Sequence, residues 1–181
     1  YTEALAVYRK LSPDDDTVQI ANTLNNQGDN YHDVEQYSNA DQCYTEALAV
    51  YRKFSQGDDT VDIANTLNNQ GDNYRCMKQY SNADQCYTEA LAVYRKLSPD
   101  DDTVDIANTL YNQGINYNDV EQYSNAYQCY TEALAVYRKL SPDNDTEDIA
   151  DTLNNQGDNY RCMEQYSNAD QCYTEALAVY R

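Results

Sequence analysis

Small and apolar residues recur at helical spacing in two kinds of segment, which alternate along the chain. The stripe of the first kind consists of Ile20, Ala21, Leu24, Gly28 and Tyr31. Residues three or four apart share one face of a helix, so this pattern predicts a helix from about Thr17 to Val34. Asp16 or Thr17 would cap it, because a short side-chain oxygen there accepts from the free N–H groups of the first turn.

The second kind of segment follows a polar turn. Its stripe consists of Ala40, Cys43, Tyr44, Ala47, Leu48 and Tyr51. We expect this helix to start at Ser38, with Asp41 three residues on in a variant of the capping box. It should end near Arg52 and Lys53, because cations suit the last turn of a helix. A linker with the sequence LSPDDD, or a relative of it, then interrupts the helix.

The two segments together form a repeat of 43 residues. The phrase YTEALAVYR begins at Tyr1, Tyr44, Tyr87, Tyr130 and Tyr173. Residues 20–62 and 63–105 match at 36 of 43 positions. A period of this length is typical of a stacked array, because neither helix of a unit can bury its stripe alone. The sequence therefore predicts an all-α solenoid in which Gly28 and Ala40 allow the backbones to approach closely.

We interpret residues 1–181 as a single array. Its parts are a partial unit at 1–19, repeats at 20–62, 63–105 and 106–148, and a partial repeat at 149–181. Both ends fall inside the repeated phrase, so we expect the array to continue beyond them. The turns between helices read HDVE, RCMK, NDVE and RCME, which makes a larger period of 86 residues. An acidic turn thus alternates with a cationic or mixed one. The alternating charge could pair with the edge of another array, or it could result from duplication of a two-repeat segment.

The repeat resembles the tetratricopeptide repeat along the whole chain. The small residue of that family is matched by Gly28, Gly71, Gly114 and Gly157, and its first-helix aromatic by Tyr31, Tyr74, Tyr117 and Tyr160. Its second-helix set is matched by Ala40, Tyr44 and Ala47 and their equivalents. The long period and the phrase ANTLNNQG are most similar to the kinesin light chain and nephrocystin type.

Two positions depart from the family pattern. Glutamine stands at Gln27, Gln70, Gln113 and Gln156, where the family usually has an apolar residue. Leu24 and its equivalents replace the usual tryptophan. These departures predict looser or wetter packing between the two helices of a pair.

The resemblance implies a right-handed solenoid of antiparallel helix pairs, whose first helices line a concave groove for extended peptides or partner helices. It also implies an asparagine ladder that holds a peptide backbone, at Asn26, Asn69, Asn112 and Asn155. A primary amide both donates and accepts, which suits a main chain. The groove candidates are Asn22, Asn25, Asn26, Asp29, Asn65, Asn68, Asn69, Asp72, Tyr111, Asn112, Ile115, Asn154, Asn155 and Asp158, with His32 beside them. The alternative is a solvated polar face.

Charge restricts the partners. The formal net charge is −19, with 20 tyrosines, one phenylalanine and no tryptophan. Nucleic-acid binders need a basic face, and an anionic membrane repels a chain this acidic. The sequence also has no run of 18 or more apolar residues, so we expect no nucleic acid and no membrane insertion. A basic or neutral peptide, or further copies of the array, remain as partners.

The six cysteines allow two interpretations. They are Cys43, Cys76, Cys86, Cys129, Cys162 and Cys172. They could be buried free thiols, which behave as small hydrophobes. Alternatively, Cys76 could pair with Cys86 or with Cys43, which leaves one cysteine over in each 86 residues for a bond between chains. Disulfide pairing of the cysteines would favour an extracellular protein, whereas reduced cysteines would favour a cytoplasmic one. The localisation therefore stays open.

The remaining chemical motifs are weak. Acidic runs at 14–16, 58–59, 100–102 and 143–145 could collect calcium, but they lack the spacing of a calcium loop and fit a solvated linker better. Asn144 begins an N-glycosylation sequon. With one histidine, scattered carboxylates and no phosphate loop, we expect no catalysis, no cofactor and no metal site.

Two functions fit these observations. The first is a scaffold that self-associates, or belongs to a long filamentous array, because nearly identical repeats give a periodic surface rather than one tailored site. The second is an adaptor that binds a peptide or partner protein in its groove. The first is preferred here because adaptor grooves usually vary from repeat to repeat.

Overall fold

Two alternating types of helix account for the regular structure of the chain. The computed structural model describes residues 18–99, 101–142 and 146–180. Within those ranges it contains eight helices and no strand. They are α1 (Val18–Asp33), α2 (Tyr37–Phe54), α3 (Val61–Cys76), α4 (Tyr80–Leu97), α5 (Val104–Asp119), α6 (Tyr123–Leu140), α7 (Glu147–Cys162) and α8 (Tyr166–Val179). The predicted all-α array of helix pairs is confirmed.

The four hairpins fall into two compact units. One unit lies within Tyr1–Leu97 and the other within Ser98–Arg181. In the first unit α3 packs on both α1 and α2, and in the second unit α7 packs on both α5 and α6. Each unit therefore contains two hairpins, which agrees with the 86-residue period read from the turns.

Threonine caps start the first helix of the hairpins. Thr60, Thr103 and Thr146 have extended backbones, and each hydroxyl accepts from the N–H three residues on at 3.3–3.4 Å. This satisfies one of the N–H groups that a helix start leaves without a partner. The cap predicted at Asp16 or Thr17 lies outside the described residues.

The second helices start differently from the prediction. Helix α2 begins at Tyr37 after Gln36, and no side chain caps it, so the capping box of Ser38 and Asp41 was wrong. The preceding turn fixes the start instead. Glu35 adopts φ 60°, and the N–H of Gln36 donates to the carbonyl of Tyr31 at 2.8 Å. These are the features of a Schellman motif, which ends α1 and places the chain to begin α2 within a few residues.

A tyrosine ring lies against a glycine in every hairpin. A Cβ atom built on Gly28 would lie 2.5 Å from Cε1 of Tyr44, and one on Gly71 would lie 2.6 Å from Cε1 of Tyr87. The same pairing joins Gly114 to Tyr130 and Gly157 to Tyr173. Real Cβ atoms do not come so close. The glycine is therefore required by the ring of the second helix, rather than by close approach of two backbones.

The glutamines that stand where the family usually has an apolar residue are buried and hydrogen-bonded. Nε2 of Gln70 donates to Oδ1 of Asp41 at 2.8 Å and to Oγ1 of Thr45 at 3.1 Å, so it joins α3 to the preceding hairpin. The thiol of Cys86 faces Oε1 of the same glutamine at 4.0 Å. In the second unit Gln156 donates to Thr131 at 2.9 Å. The expected loose packing is not observed, because each amide finds protein partners.

Replacing Gly71 with alanine tests the glycine–tyrosine contact. Alanine in place of a helical glycine contributes about 1 kcal/mol of helix propensity. Forcing a methyl group into a filled site costs about 1–3 kcal/mol. The ring of Tyr87 is fully buried and held at its hydroxyl by Asp72, so it cannot move away easily. We expect Gly71→Ala to lower the free energy of unfolding by up to about 2 kcal/mol, measured by urea denaturation.

A Tyr87→Leu variant is the matched control, in which Gly71→Ala should stabilise the protein instead of destabilising it. In a Tyr87→Leu variant the side chain can rotate away from the new methyl group. Adding Gly71→Ala there should raise the free energy of unfolding by up to about 1 kcal/mol. Stabilisation by Gly71→Ala in both backgrounds would show that the ring does not require the glycine.

Candidate partner-binding surfaces

The predicted groove face is largely occupied by tyrosine hydroxyls from the second helices. Tyr51 donates to Oδ1 of Asn22 at 2.5 Å, and Tyr94 donates to Asn65 at 2.5 Å. The same contact joins Tyr137 to Asn108 and Tyr180 to Asp151. Asn22 and Asn65 were groove candidates, and Asn108 and Asp151 are their equivalents in the last two hairpins. These residues hold the two helices of a hairpin together.

Asp29 accepts hydrogen bonds from side chains on three helices. Tyr44 of α2 donates at 2.8 Å, Asn69 of α3 at 3.0 Å and Asn25 of α1 itself at 3.3 Å. Burial raises the pKa of the Asp29 carboxyl above its usual value, and the bonds from Tyr44 and Asn69 oppose that rise. This carboxylate therefore joins the first hairpin to the second.

Three hairpins share the tyrosine–aspartate bond, and one departs from it. Tyr87 donates to Asp72 at 2.7 Å and Tyr173 to Asp158 at 2.9 Å. In the third hairpin Ile115 stands where the other three have aspartate. There the rings of Tyr111 and Tyr130 lie 6.2 Å apart and tilted.

The asparagine ladder is only partly available to a ligand. Asn69 donates to Asp29, and Asn155 donates to the hydroxyl of Tyr111 at 2.9 Å. Asn112 is half-buried, and Asn26 is exposed. Two of the four ladder positions thus serve contacts between hairpins of one unit.

A cavity of about 280 Å³ lies on the first-helix face of the first unit. Its lining consists of Asp29, His32, Asp33, Tyr44, Asn69 and Asp72. Asp29, Asn69 and Asp72 were groove candidates, and the structure brings them together. Three carboxylates around one opening suit a cationic group.

A second cavity, of about 370 Å³, was not predicted. It lies in the second unit and is lined by residues of α6, α7 and α8, among them Tyr127, Thr131, Leu134, Gln156, Tyr160 and Glu175. The rings of Tyr127 and Tyr160 meet at 5.3 Å. One feature of the sequence could have indicated this cavity: Tyr127 stands where the other repeats have aspartate.

Helix α8 exposes residues that are buried in its counterparts. Leu177 is 52% exposed, whereas Leu48 and Leu134 are 5% and 4% exposed. Tyr180 is 54% exposed, whereas Tyr51 and Tyr137 are 6% and 5% exposed. Helices α2 and α6 are each covered by the following first helix, α3 or α7. Among the described residues no first helix follows α8.

All six cysteines are free thiols in the structure. The four that follow the repeat are buried, and burial raises the pKa of the Cys86 thiol to about 12, which leaves it unreactive. Cys76 lies beside the phenol of Tyr37. Cys43 is six residues further along α2, a distance of about 9 Å at 1.5 Å per residue. The structure therefore lends no support to a Cys43–Cys76 disulfide.

The acidic linkers pair with lysines. Asp59 accepts from Nζ of Lys96 at 2.6 Å, and Asp102 accepts from Nζ of Lys139 at 2.7 Å. Across the described parts of the chain, no group of three or more His, Cys, Asp or Glu side chains could hold a metal ion. Asn144 and the runs at 14–16 and 143–145 lie outside the described residues. None of the described helices is long and apolar enough to cross a membrane.

Comparison with known proteins places these features in context. The model of the tetratricopeptide repeat matches residues 19–96 and 105–181. No curated protein matches the sequence. The fold is similar to the crystal structure of BtubC (BKLC) from P. vanneervenii, with 20% identity and a TM-score of 0.88 over 99% of this chain and 70% of that chain.

Two further crystal structures share the fold. The apo form of RapI has 19% identity and a TM-score of 0.82 over 98% of this chain and 62% of that one. MamA has 15% identity and a TM-score of 0.71, over 98% of this chain and 85% of that one. At these identities the likeness concerns the fold alone.

Buried phenols make the fold sensitive to alkali. Burial raises the pKa of Tyr51 from 10.0 to about 12, and burial also raises the pKa values of Tyr44 and Tyr87. A phenol whose pKa is higher in the folded state than in the unfolded state stabilises the fold. That stabilisation is fully present below pH 10 and is lost as the pH rises through the folded-state pKa. We expect cooperative unfolding between about pH 10 and 12, in which loss of helical circular dichroism coincides with tyrosinate absorbance. Ionisation of most tyrosines near pH 10 with the helices intact would contradict this.

Mild acid should stabilise the protein. Burial raises the pKa values of Asp29 and Asp72 above 3.8, so their contribution is complete below that pH and is lost as the pH rises through the folded-state values. Acidification also reduces the repulsion within a chain of net charge −19. We expect the melting temperature to rise as the pH falls from about 7 toward 3.8, the unshifted value of these carboxyls, measured by calorimetry. A double variant, Asp29→Asn with Asp72→Asn, should show a smaller rise, and an equal rise would assign the effect to other groups.

Proposed function

This chain belongs to the tetratricopeptide repeat family, whose fold is typical of non-catalytic scaffolds for protein–protein interaction, and from that premise we propose that it self-associates through the stacking of its hairpins. The near identity of the repeats carries the proposal, since 36 of 43 positions match between residues 20–62 and 63–105. Leu177 and Tyr180 occupy positions that are buried in α2 and α6, so α8 presents a surface that elsewhere in each unit is covered by a first helix.

The near identity of the repeats supports a second copy as the occupant. A surface that accepts a first helix within the unit should accept the same kind of helix from another molecule. The chain offers such helices in every hairpin, with an apolar stripe such as Ile63, Ala64 and Leu67 in α3. Repeated head-to-tail contacts of this kind would build a filamentous array.

An adaptor is the second candidate, and one observation favours it. The 280 Å³ cavity lined by Asp29, Asp33 and Asp72 could receive a lysine or arginine side chain of a basic peptide. The partly bonded asparagine ladder gives less support to the backbone recognition implied by the kinesin light chain type. That closer resemblance stays a prediction.

Concentration-dependent association tests the scaffold. Analytical ultracentrifugation of the 20.7 kDa chain should show larger species as its concentration rises. Leu177→Arg places a charge on the exposed face and should weaken association at least about tenfold, since burying an unpaired charge is costly. Ala178→Arg is the matched control, because its counterparts Ala49 and Ala135 are exposed in the inner hairpins.

Two outcomes would contradict the scaffold. One is a monomer at all concentrations. The other is equal weakening by Leu177→Arg and Ala178→Arg. A monomer that binds a lysine-rich peptide, and loses that binding in Asp29→Asn with Asp72→Asn, would instead establish the adaptor.

A further inference from the structure

The 370 Å³ cavity of the second unit differs in one residue type from the equivalent place in the first unit. Its lining consists of twelve residues of α6, α7 and α8. Eleven of them have the same residue type 86 positions earlier, on α2, α3 and α4. The exception is Tyr127, which stands where the first unit has Asp41. The chemistry of the two linings therefore differs only by this substitution.

In the first unit the carboxylate of Asp41 satisfies a buried amide. Nε2 of Gln70 carries two N–H groups. It donates to Oδ1 of Asp41 at 2.8 Å and to Oγ1 of Thr45 at 3.1 Å. Asp41 also lies beside the phenol of Tyr74. Both N–H groups of the Gln70 amide therefore have acceptors.

Tyr127 removes one of these acceptors in the second unit. Nε2 of Gln156 donates to Oγ1 of Thr131 at 2.9 Å. Among the residues that the structure describes, this nitrogen has no second acceptor, because the ring of Tyr127 lies against that of Tyr160 instead. Gln156 is only 7% exposed, and a buried N–H group without an acceptor is destabilising. The lining therefore contains a donor that a ligand can satisfy.

The rest of the lining suits a flat and uncharged group. The rings of Tyr127 and Tyr160 are tilted by 54°, and aromatic rings favour tilted or offset contacts with a further ring. Leu153 of the lining is almost wholly buried. Arg138 and Glu175 also line the cavity, but they pair with each other, so their charges cancel. An ion would have to lose its water without gaining an opposite charge of its own, which is costly.

Two pairs of side chains limit the cavity along the helices. Tyr127 and Arg138 lie eleven residues apart on α6, about 16 Å at 1.5 Å per residue. The first contacts Tyr160 of α7, and the second contacts Glu175 of α8. A volume of 370 Å³ lies at the lower end of the range of about 300–1,000 Å³ that is typical of small-molecule sites. A molecule of one or two rings therefore fits better than a peptide that runs between α6 and α8.

We propose that this cavity binds a small, uncharged aromatic molecule that carries a carbonyl oxygen. The oxygen accepts from the second N–H of Gln156, in the place that the carboxylate of Asp41 takes in the first unit. The ring packs against Tyr127 and Tyr160. This site lies within one unit and goes beyond the proposed self-association, on which it does not depend.

Naphthamide is a suitable probe, because it joins two aromatic rings to one carbonyl group. In nitrogen–proton correlation spectra of the isotope-labelled chain, the probe should shift the side-chain amide resonances of Gln156. Those of Gln70 should stay in place and serve as the internal control. Naphthalene lacks the carbonyl group, cyclohexanecarboxamide lacks the aromatic ring and naphthoate carries a charge. Each should bind about tenfold more weakly than naphthamide.

Exchanging the one residue that differs tests the assignment in both directions. Tyr127→Asp should weaken binding at least about tenfold, because the new carboxylate takes the N–H of Gln156. The other three repeats carry aspartate at this position, so this variant should keep the helical circular dichroism of the unmodified chain. Asp41→Tyr should create a second site in the first unit. The bound probe should then rise from one to two molecules per chain, and the resonances of Gln70 should also shift.

Three results would overturn the proposal. They are resonances of Gln156 that do not move at the highest soluble concentration of naphthamide, equal binding by Tyr127→Asp and the unmodified chain, and equal binding of naphthalene and naphthamide. A short tryptophan-containing peptide that binds more tightly than naphthamide, and needs Tyr127, would assign the cavity to a side chain of a partner protein instead. None of these results bears on self-association, which ultracentrifugation tests separately.

Discussion

Each hairpin depends on a tyrosine ring that lies against a glycine and donates its hydroxyl across to the first helix. The glycine leaves the space, and the ring of Tyr44, Tyr87 or Tyr130 fills it and is almost wholly buried. In three hairpins the hydroxyl then bonds an aspartate on that first helix. A chain with one phenylalanine and no tryptophan thus fills the aromatic part of its core with phenols, and every buried phenol requires an acceptor.

That requirement shapes the surface as well as the core. The first helices supply acceptors to the tyrosines, so much of their polar face is committed to holding the hairpin together. The same face also joins neighbouring hairpins, since Asp29 accepts from Asn69 as well as from Tyr44. Hence much of the polar face that resembles a peptide groove holds together the two helices of a hairpin, and part of it joins neighbouring hairpins of one unit.

The helices could be predicted from the sequence, but the polar side chains that contact one another could not. The stripe of Ile20, Ala21 and Leu24 is buried as predicted, and α1 ends within one residue of the predicted Val34. The start of α2 was wrongly predicted to be a capping box. The Schellman turn at Glu35 fixes this start instead, and nothing in the sequence marks that turn. The partner of Asn22 could not be read from the sequence either. Tyr51 lies 29 residues away, and only the relative register of two packed helices brings its hydroxyl to that amide.

Hydrogen exchange measured at low and high protein concentration tests the proposed self-association most directly, because it reports local protection along the whole chain. If hairpins stack between copies, α8 gains protection as the concentration rises, while the amides of α3 and α6 stay unchanged. Protection that does not change with concentration in α8, or a gain spread along the first-helix face of the inner hairpins, would contradict the proposed stacking.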